Sequence, residues 1–212
     1  PDRAARAMRA LAADAKAAWR RRVASTRAAL DRLHPFVARP FDEDAAKGLV
    51  EAYGLVTPLR HVSATHDEAI EAFRAIGRAV VVKVLDPGIT HKTQARGVHT
   101  AIRTETELAR ALAAIDAIPG ALRRYLVEEM APEGVELIIG GVNDPSYGAT
   151  VLVGLGGTAA EAIADTAIRL APLAAAEAAG MLEELTGLAL LDGWRGAPPV
   201  DRDAVVEAIV AV

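Results

Sequence analysis

Lys83 interrupts a strongly apolar stretch, residues 79–85, which reads Ala-Val-Val-Val-Lys-Val-Leu. Such a run predicts a strand. An ammonium group in a buried strand is costly unless it meets an anion. Lys83 therefore either binds an anionic ligand or points into solvent, and the run alone leaves both interpretations open.

The loop that follows, residues 86–98, carries groups suited to phosphate. Lys92 and Arg96 are cationic, and Gly88 and Gly97 allow backbone N–H groups to approach an anion. His91 adds an imidazole, which in its neutral form attacks phosphorus well. Taken by itself, such a segment is more typical of an ordinary surface loop, and a lone histidine in a loop is usually not catalytic.

A second group of polar residues ends and follows a later predicted strand, residues 125–130. Glu128, Glu129 and Met130 close that strand, and Glu136 lies in the next one. A segment that joins two lobes offers backbone C=O and N–H groups to an adenine edge, and a nearby carboxylate accepts hydrogen bonds from ribose hydroxyls. The alternative is a set of solvent-exposed glutamates on an edge strand.

Glycines cluster at residues 154–157, where Gly156 and Gly157 follow a predicted strand in the order Gly-Leu-Gly-Gly. This loop resembles a phosphate loop but lacks the full dinucleotide fingerprint, and the P-loop and HExxH patterns are absent. No serine stands in a nucleophile elbow. The glycines are therefore only weak evidence for a nicotinamide site.

The elements that must position these residues follow from periodicity and capping. Residues 59–130 predict the order strand, helix, strand, strand, helix, strand, with capping boxes at Thr65/Glu68 and Thr104/Glu107. A helix is predicted before them at 42–53, and strands after them at 134–142 and 149–154. Residues 158–173 are ambiguous between helix and strand. Helices at 174–185 and after Asp201 complete an α+β chain.

Composition excludes several classes of protein. The chain has 212 residues, no cysteine, 52% apolar residues and 4% aromatic residues. These numbers argue against disulfides, thiolate chemistry and aromatic stacking on nucleic acid. Residues 145–160, free of charge, are too short and glycine-rich to span a membrane. With no charged-then-apolar leader, a cytoplasmic location is expected.

Charge is distributed unevenly along the chain. Residues 1–39 carry ten Lys or Arg against three Asp, whereas the remainder is acidic. Helical spacing of Met8, Leu11, Ala15 and Trp19 predicts an amphipathic linker helix rather than a nucleic-acid site. At the other end, the apolar face of the last helix, which includes Val205 and Ile209, leads us to expect further chain beyond Val212.

Several of these pieces occur in an order that resembles the ATP-grasp domain of NDP-forming acyl-CoA synthetases, the relatives of ADP-forming acetyl-CoA synthetase and succinyl-CoA synthetase. The resemblance covers roughly residues 44–212 and rests on the ordered set rather than on one motif. The matching stretches are 51–54, 81–84, 90–93, 97–98, 126–130, 134–140, 144–148, 154–157, 165–173 and 190–196. One departure is Arg96, where the family usually has a glycine.

This resemblance implies an α+β ATP-grasp fold in which two lobes clasp ATP. Residues 1–43 would be the basic linker helix from an upstream CoA-ligase domain, 44–127 the first ATP-grasp subdomain and 128–212 the second, incomplete one. Lys83 and Lys92 would contact the phosphates and Glu136 the ribose. Glu128, Glu129 and Met130 would line the adenine hinge, and Gly156, Gly157 and Arg169 would complete nucleotide binding.

The resemblance also implies chemistry. His91 matches the histidine that passes phosphate between a phosphohistidine and ADP, so the parent protein would be an acid–thiol ligase that interconverts acyl-CoA, ADP and phosphate with acid, CoA and ATP. Mg²⁺ would accompany ATP or ADP, with its protein ligands beyond Val212, and CoA would bind to domains outside this chain. The isolated fragment is expected to be inactive. No nucleic acid or membrane partner is expected, and a homo-oligomer is left open.

Two other functions compete with this prediction. One is a degenerate nucleotide-sensing module, as in the acyl-CoA-synthetase-like part of some protein acetyltransferases, in which His91 would be idle. The other is a structural fragment with no nucleotide site. The joint presence of Lys83, His91 and Glu136 favours the catalytic domain.

Overall fold

The computed structural model of the chain describes residues 41–89, 92–157 and 165–212. Residues 1–40 of the predicted linker, 1–43, lie outside the described residues, and so does His91. The described residues form two compact units, 41–133 and 134–212. No helix within them is long and apolar enough to cross a bilayer.

The first unit contains three helices and a four-stranded sheet, and it confirms the predicted order of elements. Its elements are α1 (Glu43–Ala52), β1 (Arg60–Ser63), α2 (His66–Ile76), β2 (Val80–Val84), β3 (Val98–Ile102), α3 (Glu105–Asp116) and β4 (Tyr125–Glu129). The strands lie in the order β1-β4-β2-β3, with antiparallel pairing throughout. The centre of the sheet is therefore the pair β2–β4, which brings Lys83 and Glu128 onto neighbouring strands.

One face of this sheet forms the core of the unit. Val80, Val82 and Val84 of β2 pack with Tyr125 and Val127 of β4 against apolar residues of α2 and α3. Because side chains alternate along a strand, Lys83 projects from the opposite face. Alternation therefore explains how a lysine is accommodated in so apolar a strand.

The predicted capping signals begin the helices of this unit. Thr104 and Glu107 form the full capping box at the start of α3. At α2 the Thr65 side chain accepts a hydrogen bond from the Glu68 N–H, but the Glu68 carboxylate accepts from the Ala64 N–H at 2.6 Å. Gly77 then ends α2 with a φ of 68°, a left-handed conformation that glycine adopts without strain.

The second unit packs helices against one face of a three-stranded antiparallel sheet of order β5-β6-β7. Its elements are β5 (Leu137–Asp144), β6 (Gly148–Leu155), β7 (Thr166–Leu170), α4 (Ala175–Leu182), α5 (Leu188–Leu191), a 3₁₀ turn (Trp194–Gly196) and α6 (Arg202–Ala211). The ambiguous segment is a strand at 166–170. Residues 188–196, between the two predicted helices at 174–185 and after Asp201, form short helical turns. Ile209 of α6 is fully buried in this core.

The strand predicted at 134–142 lies two to three residues further along the chain. It begins at Leu137 and runs on to Asp144, so the turn to β6 is shorter than the predicted one. The Asp144 carboxylate accepts hydrogen bonds from the Ser146 and Tyr147 N–H groups at 2.8 and 2.9 Å. This aspartate turn allows the ladder to continue to the end of the hairpin.

Candidate functional site

A cluster of lysines and carboxylates surrounds Lys83. Lys83 Nζ donates to Glu128 Oε2 at 2.8 Å and to Glu43 Oε1 at 2.5 Å. Lys92 Nζ donates to Glu43 Oε2 at 2.5 Å. Lys47 Nζ donates to Glu43 Oε1 at 2.9 Å and also to Glu128 Oε1. Two of the predicted phosphate residues, Lys83 and Lys92, thus converge on one carboxylate.

Two strands, a helix and a loop build this cluster. Lys83 and Glu128 come from the paired central strands β2 and β4, where Val81 is directly opposite Glu128. Glu43 and Lys47 lie one turn apart on α1, which Asp42 begins by accepting a hydrogen bond from the Ala45 N–H at 2.9 Å. Lys92 comes from the loop after β2. Among these charged groups, Glu128 is nearly inaccessible at 2% exposure, while the Lys83 side chain keeps 20%.

The electrostatics of the cluster favour the charged forms. Burial on its own would raise the pKa of Glu43, but hydrogen bonds from Lys83, Lys92 and Lys47 lower it to about 2. Burial would likewise lower the pKa of Lys83, yet hydrogen bonds to Glu128 and Glu43 raise it. With three ammonium groups and two carboxylates, the cluster carries an excess positive charge suited to an anion.

Gly97 places the loop that bears Lys92. Its N–H donates to the Lys92 carbonyl oxygen at 2.7 Å, and its carbonyl oxygen accepts from the Val84 N–H at 2.8 Å. A Cβ atom at this position would lie 2.4 Å from Val84 Cγ1. Because only a glycine fits there, Gly97 brings Lys92 back beside the end of β2.

The segment predicted as the adenine hinge lies at the end of β4. The carboxylate of Glu128 belongs to the lysine cluster, and that of Glu129 accepts from the Leu59 N–H at 2.8 Å and pairs with Arg78 at 2.6 Å. The Met130 N–H donates to the Ala79 carbonyl oxygen at 3.1 Å. These side chains and this N–H are engaged within the first unit, and the assignment of the hinge to adenine stays a prediction.

In the second unit the structure brings Glu136 together with the predicted glycine loop. The Gly156 N–H donates to the Glu136 carbonyl oxygen at 2.7 Å. A Cβ on Gly156 would approach the Glu136 backbone to 3.1 Å, and one on Gly157 would lie 3.4 Å from Glu136 Oε2. Gly157 has a φ of 83°. The glycines therefore leave room for an exposed carboxylate at Glu136, where a polar ligand group has access.

The remaining predicted site residues are placed differently. Arg169 Nη2 pairs with Glu184 at 2.5 Å, and its Nη1 donates to the Ile168 carbonyl oxygen at 2.7 Å. Both of these partners lie in the second unit, and the nucleotide role of Arg169 stays a prediction. His91 lies outside the described residues. Within those residues, no group of three His, Asp or Glu side chains is arranged to hold a metal ion.

Sequence reasoning missed Glu43 and Lys47. The sequence predicts only a short helix around them, at 42–53, and places Glu43 at the end of the linker, residues 1–43. Their i,i+4 spacing was a visible signal for a shared helix face. Nothing in the local pattern linked that face to Lys83, which is 40 residues away.

Comparison with known proteins identifies the family. Residues 38–212 match the ATP-grasp domain family, and the chain belongs to it. Together with the relatives described next, this match confirms the α+β ATP-grasp fold and the resemblance to NDP-forming acyl-CoA synthetases. The match begins before α1, so Glu43 and Lys47 lie within it.

The relatives are acyl-CoA ligases. The chain is 34% identical over 180 residues to the beta subunit of ADP-forming acetate–CoA ligase I from Pyrococcus furiosus. The aligned region covers 82% of this chain and 78% of that subunit. It is 36% identical over 176 residues to a prokaryotic trans-feruloyl-CoA synthase, covering 80% of this chain and 25% of that one. It therefore corresponds to most of a beta subunit and to a quarter of a longer ligase.

A solved relative has the same fold. The dinucleotide-forming acetyl-coenzyme A synthetase 1 of Ca. Korarchaeum cryptofilum superimposes with a TM-score of 0.76 and 37% identity, over 81% of this chain and 77% of that one. That protein was solved in complex with coenzyme A, Ca-AMPCP and HgCl⁺. It provides a nucleotide-bound member of the family for comparison.

Proposed function

We propose that this chain binds ATP and ADP and serves the phosphoryl-transfer half of an acyl-CoA synthetase that interconverts acyl-CoA, ADP and phosphate with acid, CoA and ATP. The observation that carries the proposal is the convergence of Lys83, Lys92 and Lys47 in a chain whose relatives are ADP-forming ligases. Phosphoryl transfer requires charge neutralisation and placement more than covalent chemistry from the protein. A lysine cluster supplies both.

We assign the phosphates to Lys83 and Lys92. An ammonium group has three N–H donors. Lys83 uses two on Glu43 and Glu128, which leaves one for a phosphate oxygen. Charge-assisted hydrogen bonds to an anion are about twice as strong as neutral ones, so each remaining donor contributes substantially to binding.

We assign the ribose to Glu136 and, on the family resemblance alone, the adenine hinge to Glu128, Glu129 and Met130. The support for the ribose assignment is the exposed Glu136 carboxylate, which Gly156 and Gly157 leave accessible. A carboxylate accepts hydrogen bonds from two hydroxyl groups at once, as on a ribose ring.

We assign the phosphoryl carrier to His91. In the direction of ATP use, a neutral imidazole nitrogen supplies a lone pair, a P–N bond forms, and the bond from the γ-phosphorus to the bridging oxygen breaks so that ADP leaves. The reverse transfer returns the phosphoryl group to ADP. This assignment comes from the resemblance and awaits the experiment below.

The wider reaction involves groups outside the described residues. We propose that CoA and the acyl group bind to CoA-ligase domains or a partner subunit, because the solved relative is in complex with coenzyme A and the Pyrococcus furiosus relative is a beta subunit. Mg²⁺ would neutralise phosphate charge, with its protein ligands elsewhere. The cytoplasmic location, a homo-oligomer and the inactivity of the isolated fragment stay predictions.

Two measurements test the proposal. Calorimetric titration of the chain with ADP and ATP in magnesium buffer should show saturable binding, and the Lys83→Met variant should lose it. Absence of binding by the wild-type chain would contradict the nucleotide site. In the chain combined with its CoA-ligase part, labelled ATP should leave acid-labile phosphate that His91→Asn abolishes. Normal ATP binding without such phosphate would favour the nucleotide-sensing module.

A further inference from the structure

Glu43 bridges the two lysines that the proposed function assigns to phosphate. One of its oxygens accepts from Lys83 and the other from Lys92, each at 2.5 Å. The oxygen that faces Lys83 also accepts from Lys47, one helical turn along α1, at 2.9 Å. A single carboxylate therefore determines where three ammonium groups lie relative to one another.

Glu128 does not duplicate this arrangement. It contacts Lys83 and Lys47 from the sheet and is 2% exposed, whereas Glu43 keeps 21% of its side chain accessible. Among the described residues, the carboxylate that pairs with Lys92 is that of Glu43. Glu43 is thus the group that connects the loop lysine to the strand lysine, and it does so at the accessible side of the cluster.

Bridging has a physical consequence for the lysines. Long lysine side chains lose rotamer entropy when they are ordered, and like charges held together repel. A carboxylate that accepts from both offsets the repulsion and orders both side chains before a ligand arrives. Binding an anion then costs less, because the donors are already in place.

We propose that Glu43 is a positioning residue for nucleotide binding: its carboxylate holds Lys83 and Lys92 as a pair that meets the phosphates of ADP and ATP. This inference rests on the proposed function and deepens it, since it places α1 in the phosphate site. Glu43 acts through the lysines and need not contact the nucleotide. Its effect is therefore specific to ligands that carry phosphate.

The test compares a phosphorylated ligand with the same ligand lacking phosphate. ADP affinity is measured by calorimetry and adenosine affinity by ligand-detected NMR, for wild type, Glu43→Gln and Glu43→Asp. Glu105→Gln is the matched control, because Glu105 also pairs with a basic side chain but lies on α3, away from the cluster. Thermal unfolding of each variant reports on folding.

The expected result is an ADP affinity about tenfold lower in Glu43→Gln, which corresponds to the ordering of about one lysine side chain. Adenosine affinity should be unchanged. Glu43→Asp, which keeps the charge, should recover part of the loss, and Glu105→Gln should match wild type.

Three outcomes overturn the inference. Tighter ADP binding in Glu43→Gln would mean that the carboxylate competes with phosphate rather than positioning the lysines. An equal loss of affinity for ADP and adenosine in Glu43→Gln would mean that Glu43 has a general structural role. If Glu43→Gln does not fold, the same comparison is made with Glu43→Asp. If the wild-type chain binds ADP no more tightly than adenosine, the pairing of Lys83 and Lys92 by Glu43 does not serve phosphate binding. If wild type binds no nucleotide at all, the proposed function itself fails first.

Discussion

Lys83 and Glu128 lie on the two central strands of the first sheet, and Lys83 Nζ donates a 2.8 Å hydrogen bond to Glu128 Oε2. Glu128 is almost fully buried. Removing one member of a buried ion pair is costly because the other charge loses its compensation, whereas replacing both with apolar residues is often neutral.

The Lys83–Glu128 pair therefore yields a prediction that separates stability from binding. Lys83→Met should lower the free energy of unfolding by about 2 kcal/mol, with Lys47 as the remaining partner of Glu128. The double variant Lys83→Met/Glu128→Leu should regain most of this stability but not ADP binding. Urea unfolding measures the stability of each variant, and calorimetry measures its ADP binding. Recovery of ADP binding in the double variant would refute the phosphate role of Lys83.

Acid should weaken the lysine cluster through Glu43. Its pKa is about 2 in the folded protein and near 4.5 when unperturbed. Because folding lowers this pKa, the ion pairs contribute full stability above pH 4.5, and the contribution is lost as the pH falls from 4.5 towards 2. The unfolding free energies of wild type and Glu43→Gln should differ by about 2 kcal/mol at pH 7, with allowance for partial solvent exposure, and should converge in acid. A pH-independent difference would mean that packing, not charge, stabilises this site.

Gly156 should control the ribose preference through Glu136. Since a Cβ at Gly156 would meet the Glu136 backbone at 3.1 Å, Gly156→Ala should displace the start of β5. Wild type should prefer ADP to 2′-deoxy-ADP, and the variant should lose much of that preference, as should Glu136→Gln. Gly180→Ala is a matched control, because that glycine lies on a helix with open space around it. An unchanged preference in Glu136→Gln would contradict the ribose assignment.

Arg96 should be a strained position in the loop. Its φ of 56° lies in the left-handed region, which costs an L-residue about 1–2 kcal/mol. Arg96→Gly should raise the free energy of unfolding by about 0.5 kcal/mol, because the relief of this strain is partly offset by the conformational entropy that glycine adds to the unfolded chain. Arg110→Gly, at an exposed helical position of α3, should lower it by about 1 kcal/mol. Urea denaturation midpoints of the two variants and the wild type check these changes. A loss of stability in Arg96→Gly would show that the arginine side chain stabilises the loop.

Much of the fold was predictable because its signals are local. The Thr104–Glu107 capping box, Gly77 after α2 and the apolar run around Lys83 act over a few residues, and each begins, ends or identifies an element. The start of β5 lacks such a signal, because its bounds depend on pairing with β6 rather than on a cap or breaker. The sequence therefore places it three residues too early, at 134 rather than at Leu137.

The residues of the candidate site were only partly predictable. Residue type and order by themselves determined that Lys83, Lys92, Glu136 and the glycine loop belong to a family that handles nucleotides. Only the tertiary structure decided that Glu43 joins Lys83 and Lys92, and that Glu128 holds Lys83 with its carboxylate. The physical reason is distance along the chain: ion pairs between residues 40 to 49 positions apart leave no trace in local periodicity, and they form only once the sheet and the loop have brought the charges together.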